Sequence, residues 1–277
     1  MRNSKSQIEN QYFKANLFED ICKRLELQGV NLSKLNRSDI SRVDEFHVRG
    51  AEVSNELIQE IYLNDTKVLD VGCGLGGPSR MLADRFNCIV TGIDLCDEYI
   101  RTAKKLSELT RLKDKTEFIH ADAMNLPFEN SSFDVVWTQH VQMNIEDKAS
   151  FYNEINRVLK DEGALVYYDI FQKGNSTINF PVPWADSSAI SFLETTITVN
   201  HILNELGFVK LQTTNQTFKA KQFLTRALDK LKKHGPSILG LDLLMGKSTL
   251  KKLKNILIGI EENKIELQSG IYRKRIE

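Results

Sequence analysis

The 277-residue chain has only four cysteines, five prolines and two tryptophans, carries no net charge, and contains no long uninterrupted apolar run. Cys22, Cys73, Cys88 and Cys96 form no CxxC pair and no histidine clusters with them, so neither a zinc site nor a disulfide framework is expected, and no metal is assigned. No stretch approaches the ~18 apolar residues of a membrane span, and MRNSKSQIEN lacks the apolar segment of a signal peptide. The cytoplasm is therefore the expected location, with no membrane partner. Lysine plus arginine (37) balance aspartate plus glutamate (37), so no whole-chain field draws the protein towards nucleic acid. Neither a Gly/Ser- or Pro-rich linker nor an internal repeat divides the chain, which predicts one body with additions.

What is present is a core of ordinary size, with 41% hydrophobic residues. Residues 5–28 place Ile8, Tyr12, Ala15, Phe18, Cys22 and Leu25 at three- to four-residue steps before Gly29, which predicts a single amphipathic helix. A polar stretch then leads to DEFHVRG (44–50) and a second helix over 51–63. From Thr66 onward, short apolar runs alternate with helical segments: KVLDV (67–71), NCIVTGID (87–94), TEFIHA (116–121), SFDVVWT (132–138) and GALVYYDIF (163–171). Strand alternating with helix predicts a doubly wound α/β sheet covered on both faces. A helix is expected near 189–206. Residues 207–218 and 264–275 have the two-residue rhythm of strands, and 220–262 between them reads as two or three helices broken at Gly235-Pro236 and Gly246. The expected organisation is an N-terminal helical lid and entry segment (1–64), followed by a nucleotide-binding domain (65–277) whose helical insertion at 219–263 forms the lid together with the N-terminal helix. From Lys219 the chain holds 14 Lys/Arg against 6 Asp/Glu, which is read as solvated helix faces in preference to an RNA- or lipid-binding patch.

The strongest local signal is VLDVGCGLGGPSR (68–80), a strand running into glycines and then a helix. Gly72, Gly74 and Gly77 satisfy GxGxxG, and Asp94 ends the next strand 22 residues after Gly72, placed to grip a ribose diol. Asp70, at the mouth of the loop, would repel a pyrophosphate but attract an ammonium. S-adenosylmethionine offers an ammonium, a free ribose diol for Asp94 and no phosphate. Asp122 then stands at the third strand end, where it can accept from an adenine amino group.

VLDVGCGLGGPSR, GIDLC (92–96), DAMNLPFENSSFDVVWTQH (122–140) and RVLKDEGALVYYD (157–169) resemble the successive motifs of class I S-adenosylmethionine-dependent methyltransferases. DEFHVRG, QHVQMNIEDK (139–148) and PVPWA (181–185) are similar to the small-molecule branch that holds the glycine, sarcosine and dimethylglycine N-methyltransferases and the quinone-biosynthesis methyltransferases. The resemblance implies a Rossmann-like seven-stranded sheet, mostly parallel, with the last strand antiparallel. It also implies that Asp70, Gly72 and Gly74 hold the methionine part of the cofactor, Asp94 and Leu95 the ribose, and Asp122 and Ala123 the adenine; Cys73 and Gly77 of the same turn complete the expected cofactor set, and Gln139 is expected to orient the cofactor. At FHVRG the chain departs from the glycine- and tyrosine-rich segment of the glycine/sarcosine enzymes.

A sulfonium is already activated, so in-line alignment and exclusion of water supply most of the catalysis. The acceptor is expected beyond the strand ends, beside Gln139, His140, Met143 and Asn144, with His140 as candidate general base or, alternatively, as a wall of the pocket. His47 and Arg49 are expected over the pocket, Arg49 pairing either with a carboxylate of cofactor or substrate or in a surface salt bridge, and Pro183 and Trp184 in a stiff aromatic loop that walls the acceptor, where Trp184 either faces a cationic amine or packs against the lid. The expected activity is methyl transfer to a small-molecule acceptor, with nitrogen slightly favoured over oxygen or carbon, by a monomer or weak homodimer. Rival readings are a nicotinamide-dependent oxidoreductase, a catalytically silent cofactor-binding module and an RNA methyltransferase using the basic tail. WTQH stands where a DPPY-type segment would mark base methylation, which disfavours nucleic acid.

Overall fold

The computed structural model describes residues 2–276. In chain order the regular elements are α1 (Arg2–Tyr12), α2 (Leu17–Leu27), α3 (Arg37–Asp44), α4 (Ala51–Leu57), β1 (Lys67–Val71), α5 (Gly77–Phe86), β2 (Ile89–Asp94), α6 (Asp97–Leu109), β3 (Thr116–His120), β4 (Phe133–Gln139), α7 (Lys148–Val158), β5 (Leu159–Gln172), α8 (Thr196–Glu205), β6 (Phe208–Asn215), α9 (Thr217–His234), α10 (Asp242–Met245), α11 (Thr249–Glu261) and β7 (Ile265–Lys274). The seven strands form one sheet in the order β3-β2-β1-β4-β5-β7-β6. β7 runs antiparallel to both of its neighbours and the remaining pairs are parallel, as the tail pattern and the motif order predict.

Alternation within the strands explains the layering. In β1, Val68 faces a cluster with Met81, Leu82, Trp137 and Val166, while Leu69 and Val71 face another with Val136, Phe151, Ile155 and Leu165. Each fully buried aliphatic side chain in these layers contributes roughly 1.5–3 kcal/mol. The strand order reverses between β1 and β4, so the loops after these two strands diverge and leave a crevice at their C-terminal ends.

Two additions close over that crevice. The N-terminal segment is two helices rather than the single helix predicted for 5–28. The chain leaves α1 at Tyr12 and turns at Asn16, whose φ of 58° is left-handed, a conformation asparagine tolerates better than most residues. The break separates two tasks: α2 buries Leu17, Ile21 and Leu25 with Tyr99 and Leu106 of α6, while α1 lies over the crevice. The second helix predicted at 51–63 stops at Leu57, and that near 189–206 starts at Thr196, where the Thr195 hydroxyl accepts from the Thr198 amide. In the insertion between β6 and β7, Leu243 and Leu244 pack with α2, and Arg24 pairs with Asp242 at 2.9 Å, so the two additions meet.

Candidate functional site

A cavity of about 170 Å³ opens where β1, β2, β3 and β4 end, beneath α1 and the insertion helices. Its first half is built by backbone. The turn after β1 puts Gly72 at φ 70° and Gly74 at φ 54°. A Cβ on Gly72 would stand 2.3 Å from Val141, whereas one on Gly74 would meet nothing, so Gly74 leaves an open cradle. Asp94 accepts from the Gly74 amide at 3.0 Å and from the Cys96 amide at 2.8 Å, which ties the turn after β1 to the end of β2. Burial nonetheless raises its pKa. Asp70 accepts from the Ser79 hydroxyl, and burial, with Asp94 nearby, pushes it up to about 7, a cost that an adjacent cation would relieve. Asp122 accepts from the Met124 amide and is ion-paired to Lys5 of α1.

Cys73, Leu95, Ala123, Gln139, His140, Met143, Asn144, His47, Pro183 and Trp184 line the same cavity as Asp70, Asp94 and Asp122. Two residues predicted for the site do not. Gly77 starts α5 outside the cavity; its missing Cβ would lie 2.4 Å from the Asp44 carbonyl oxygen, so the third glycine of the fingerprint serves close packing of α5 against the end of α3. Arg49 turns away from the ligand side. Its guanidinium forks onto Glu56, and Nη1 also donates to Gln216 at 2.9 Å, so it joins α4 to the start of α9 rather than waiting for a carboxylate of a ligand.

His140 occupies the turn directly after β4 with φ 56°, a strained setting for a residue with a side chain, fixed by its amide donating to the Tyr168 carbonyl at 2.8 Å. Its ring lies 4.9 Å from that of Tyr168, and Nε2 makes no hydrogen bond. Burial, aided by His47, holds its pKa well below the usual value, so the imidazole is neutral at physiological pH. His47, 6.0 Å away, is pushed down to about 4 by burial. Its Nε2 lies 3.0 Å from the Gly50 carbonyl, which specifies the tautomer protonated at Nε2. Behind it, the Ser54 hydroxyl approaches Glu45 and Gln139, and Gln139 Oε1 also accepts from the Trp137 indole at 2.8 Å. Burial beside Asp44 pushes Glu45 up to about 8.

Asn144 is fully engaged. It accepts from the Tyr12 hydroxyl at 2.7 Å and donates to the carbonyls of Trp184 and Ile190, so it ties α1 to the aromatic loop. The Trp184 indole donates to Ser191, leaving the ring as a wall. The sequence reading missed Tyr12, Asp44 and the insertion side chains Phe223, Leu224, Met245, Leu253 and Ile256, all of which line the cavity. Apolar spacing in α9 and α11 signalled buried faces, but not what those faces cover.

Residues 69–167 match the family model described as a methyltransferase domain. The 2-methyl-6-phytyl-1,4-hydroquinone methyltransferase of Synechocystis sp. is 42% identical over 113 residues, 41% of this chain and 35% of that protein. The chloroplastic tocopherol O-methyltransferase of Arabidopsis thaliana is 40% identical over 100 residues, 36% of this chain and 29% of that protein. The alignments span about a third of these relatives. Among solved structures, phosphoethanolamine N-methyltransferase 2 of Haemonchus contortus with S-adenosyl-L-methionine superposes with TM-score 0.71 at 18% identity, over 84% of this chain and 54% of that one. Geranyl diphosphate C-methyltransferase of Streptomyces coelicolor A3(2) superposes with TM-score 0.66 at 16% identity, over 81% and 76%. The sheet and its strand order are thus shared with solved methyltransferase structures, and the stretch that carries the glycine turn falls within the match to the methyltransferase-domain model.

Proposed function

We propose, starting from a methyltransferase domain at residues 69–167, that this chain transfers a methyl group from S-adenosylmethionine to a small, largely apolar acceptor. The carrying observation is the division of the cavity. Acids and open backbone line it at the ends of β1, β2 and β3, and apolar side chains of α9, α10, α11 and the Trp184 loop line it elsewhere. The residues fit the cofactor: Gly74 offers an unfilled cradle, Asp70 a buried carboxylate suited to an ammonium, Asp94 and Leu95 a ribose edge, and Asp122 and Ala123 an adenine edge. Bound there, S-adenosylmethionine would supply a methyl group already activated on a sulfonium.

The chain's own residues do the rest. The turn after β1 and the turn after β4 fix the two partners relative to each other, while α1 and the insertion exclude water. His140, neutral and without a partner at Nε2, accepts the hydrogen bond of an acceptor hydroxyl and takes its proton as the methyl is transferred. The acids that line the cavity, Glu9, Asp44, Asp70, Asp94 and Asp122, come from α1, α3 and the ends of β1 to β3, and none comes from the insertion or the Trp184 loop. A hydroxylated ring therefore suits the acceptor half better than an ammonium does, so this reading prefers oxygen or carbon over the nitrogen favoured by sequence. The acceptors named for the two curated relatives, a phytyl hydroquinone and tocopherol, have this character.

The test is release of S-adenosylhomocysteine across a panel of prenylated hydroquinones, chromanols and sterols set against glycine, sarcosine and phosphoethanolamine. Turnover is expected with the apolar hydroxylated compounds. Turnover confined to the amines would overturn the acceptor assignment while leaving the donor.

A further inference from the structure

The helices that wall the acceptor half are also the most basic part of the chain. Residues 217–261 hold ten Lys/Arg against three Asp/Glu. Sequence alone suggests solvated faces offset by the acidic remainder, but among the described residues only two of the ten pair with it, Lys219 with Glu56 and Lys252 with Asp186, while Lys221 pairs with Glu261 inside the segment. Among the described residues Arg226, Lys230, Lys232, Lys233, Lys251 and Lys254 are exposed and find no ion-pair or hydrogen-bond partner, and the same holds for Lys247 in the turn before α11.

Helix geometry gathers these cations. α9 buries Ala220, Leu224 and Leu228, and at about 100° per residue Arg226, Lys230 and Lys233 fall on the opposite side. α11 buries Leu253, Ile256 and Ile260, which puts Leu250, Lys251 and Lys254 outward. The 3.2 Å pair between Lys221, near the start of α9, and Glu261, at the end of α11, shows that the two packed helices run antiparallel. The stripe 226, 230, 233 and the stripe 254, 251, 247 therefore climb together towards the same end. At that end two apolar side chains stand in solvent among the lysines: Ile238 is 49% exposed and Leu250 43%. Cations on a purely solvated face need no such companions. Basic residues around exposed aliphatic ones match a surface with negative headgroups above an apolar layer.

We propose that the outer face of α9 and α11 docks on an anionic phospholipid bilayer, with the lysines against the headgroups and Ile238 and Leu250 entering the interface. The inner faces of the same helices present Phe223, Leu224, Leu253 and Ile256 to the cavity, so docking puts the acceptor half next to the phase in which an apolar acceptor dissolves. No helix of the described residues is long and apolar enough to cross a membrane, and docking at the surface requires none. RNA is the rival occupant of a basic face, but base stacking would call for aromatic rings among the cations, and at the lysine-rich end the exposed apolar side chains are Ile238 and Leu250, while the exposed Phe218 of α9 stands at the opposite end.

Docking is read without turnover, so its outcome is independent of the acceptor assignment made above. The full chain is sedimented with phosphatidylcholine vesicles with and without phosphatidylserine, at low and high salt. Binding is expected only with phosphatidylserine and is weakened by salt. The triple variant Lys230→Gln, Lys233→Gln, Lys251→Gln is expected to bind on the order of 100-fold more weakly, about fivefold per charge, with unchanged thermal unfolding. The double variant Ile238→Ser, Leu250→Ser is expected to lose affinity severalfold while keeping the salt dependence. Absence of binding to anionic vesicles at low salt, or equal binding by the triple variant, overturns the proposal. Tight, salt-dependent binding of single-stranded RNA with no vesicle binding reassigns the face to nucleic acid. Docking that persists when no hydroxylated acceptor is turned over would overturn the acceptor assignment alone.

Discussion

The two halves of the cavity are built from different materials. The donor half is made of turns that immediately follow strands: Gly72 to Gly74 after β1, Asp94 after β2 and Asp122 after β3, all within about 50 residues of sequence. Its chemistry is carried by backbone and by carboxylates whose burial is part of the sheet. The acceptor half is assembled from segments far apart in the chain, namely the Trp184 loop and α9 to α11, which meet only because the fold brings them over one sheet edge, with α1 closing over the donor side. The first half depends on local geometry and the second on packed side-chain shape. Substitutions should therefore separate donor affinity from acceptor use.

The sharpest separation is expected at His140, which sits where the halves meet. His140→Ala should lower kcat about 100-fold, within the range of a lost general base, while the dissociation constant for S-adenosylmethionine stays unchanged. Because burial already holds the wild-type imidazole neutral, its kcat should not fall on the acid side until well below pH 6.5. A fall with a midpoint near 6.5 would mean that the ring is solvated when the enzyme works. Equal loss of donor affinity and kcat would instead place His140 in the donor half.

A smaller effect is expected deep in the acceptor half. Leu253→Asn should raise the acceptor KM about tenfold through a buried amide facing an apolar ligand, again with donor affinity unchanged, as measured by steady-state kinetics and equilibrium binding in parallel. Smaller still is the effect at Lys5, where the comparison can be inverted. Lys5 pairs with Asp122, the residue offered to the adenine, so the lid competes with the ligand. Lys5→Ala should tighten donor binding two- to fivefold, the scale of an exposed ion pair. Weaker binding would show that Lys5 contacts the cofactor.

The effect on catalysis is expected to be smallest behind the junction, where the readout is stability instead. Glu45 titrates at about 8 in the fold against 4.5 as a free side chain, so its folded form favours the proton. That contribution is fully present below pH 4.5 and is lost as the pH rises through 8. His47, lowered to about 4, has the opposite sign: its contribution is present above 6.5 and is lost as the pH falls through 4. Glu45→Gln should therefore raise Tm relative to the wild type progressively between pH 5 and 8. A constant difference across that range would mean that Glu45 is ionised in the fold.

The same contrast explains what could be read in advance. Strand runs separated by helices dictate the sheet, and glycines followed by an acid at the next strand end dictate the donor half, because both are encoded by neighbours in sequence. Even there, local reading overreached at Gly77, whose glycine answers to Asp44 from another helix, and at Arg49, which found Glu56 two turns later and Gln216 across the fold. The single helix over 5–28 failed because its apolar spacing persists through Asn16 while the backbone does not. That the insertion 219–263 joins the lid is expected from sequence, but that Phe223, Met245 and Leu253 line the cavity is not. What they surround depends on an insertion folding back over α2 and α6, which no local pattern records.

The central claim is that the acids at successive strand ends form a binding half for a cationic, phosphate-free adenosyl donor. The direct test is calorimetric titration of S-adenosylmethionine and of NADH into the wild type and into Asp94→Ala. The account predicts saturable heat with S-adenosylmethionine, roughly 100-fold weaker binding in the variant, and no comparable binding of NADH. Tighter binding of NADH than of S-adenosylmethionine, or affinity for S-adenosylmethionine indifferent to Asp94, would contradict it.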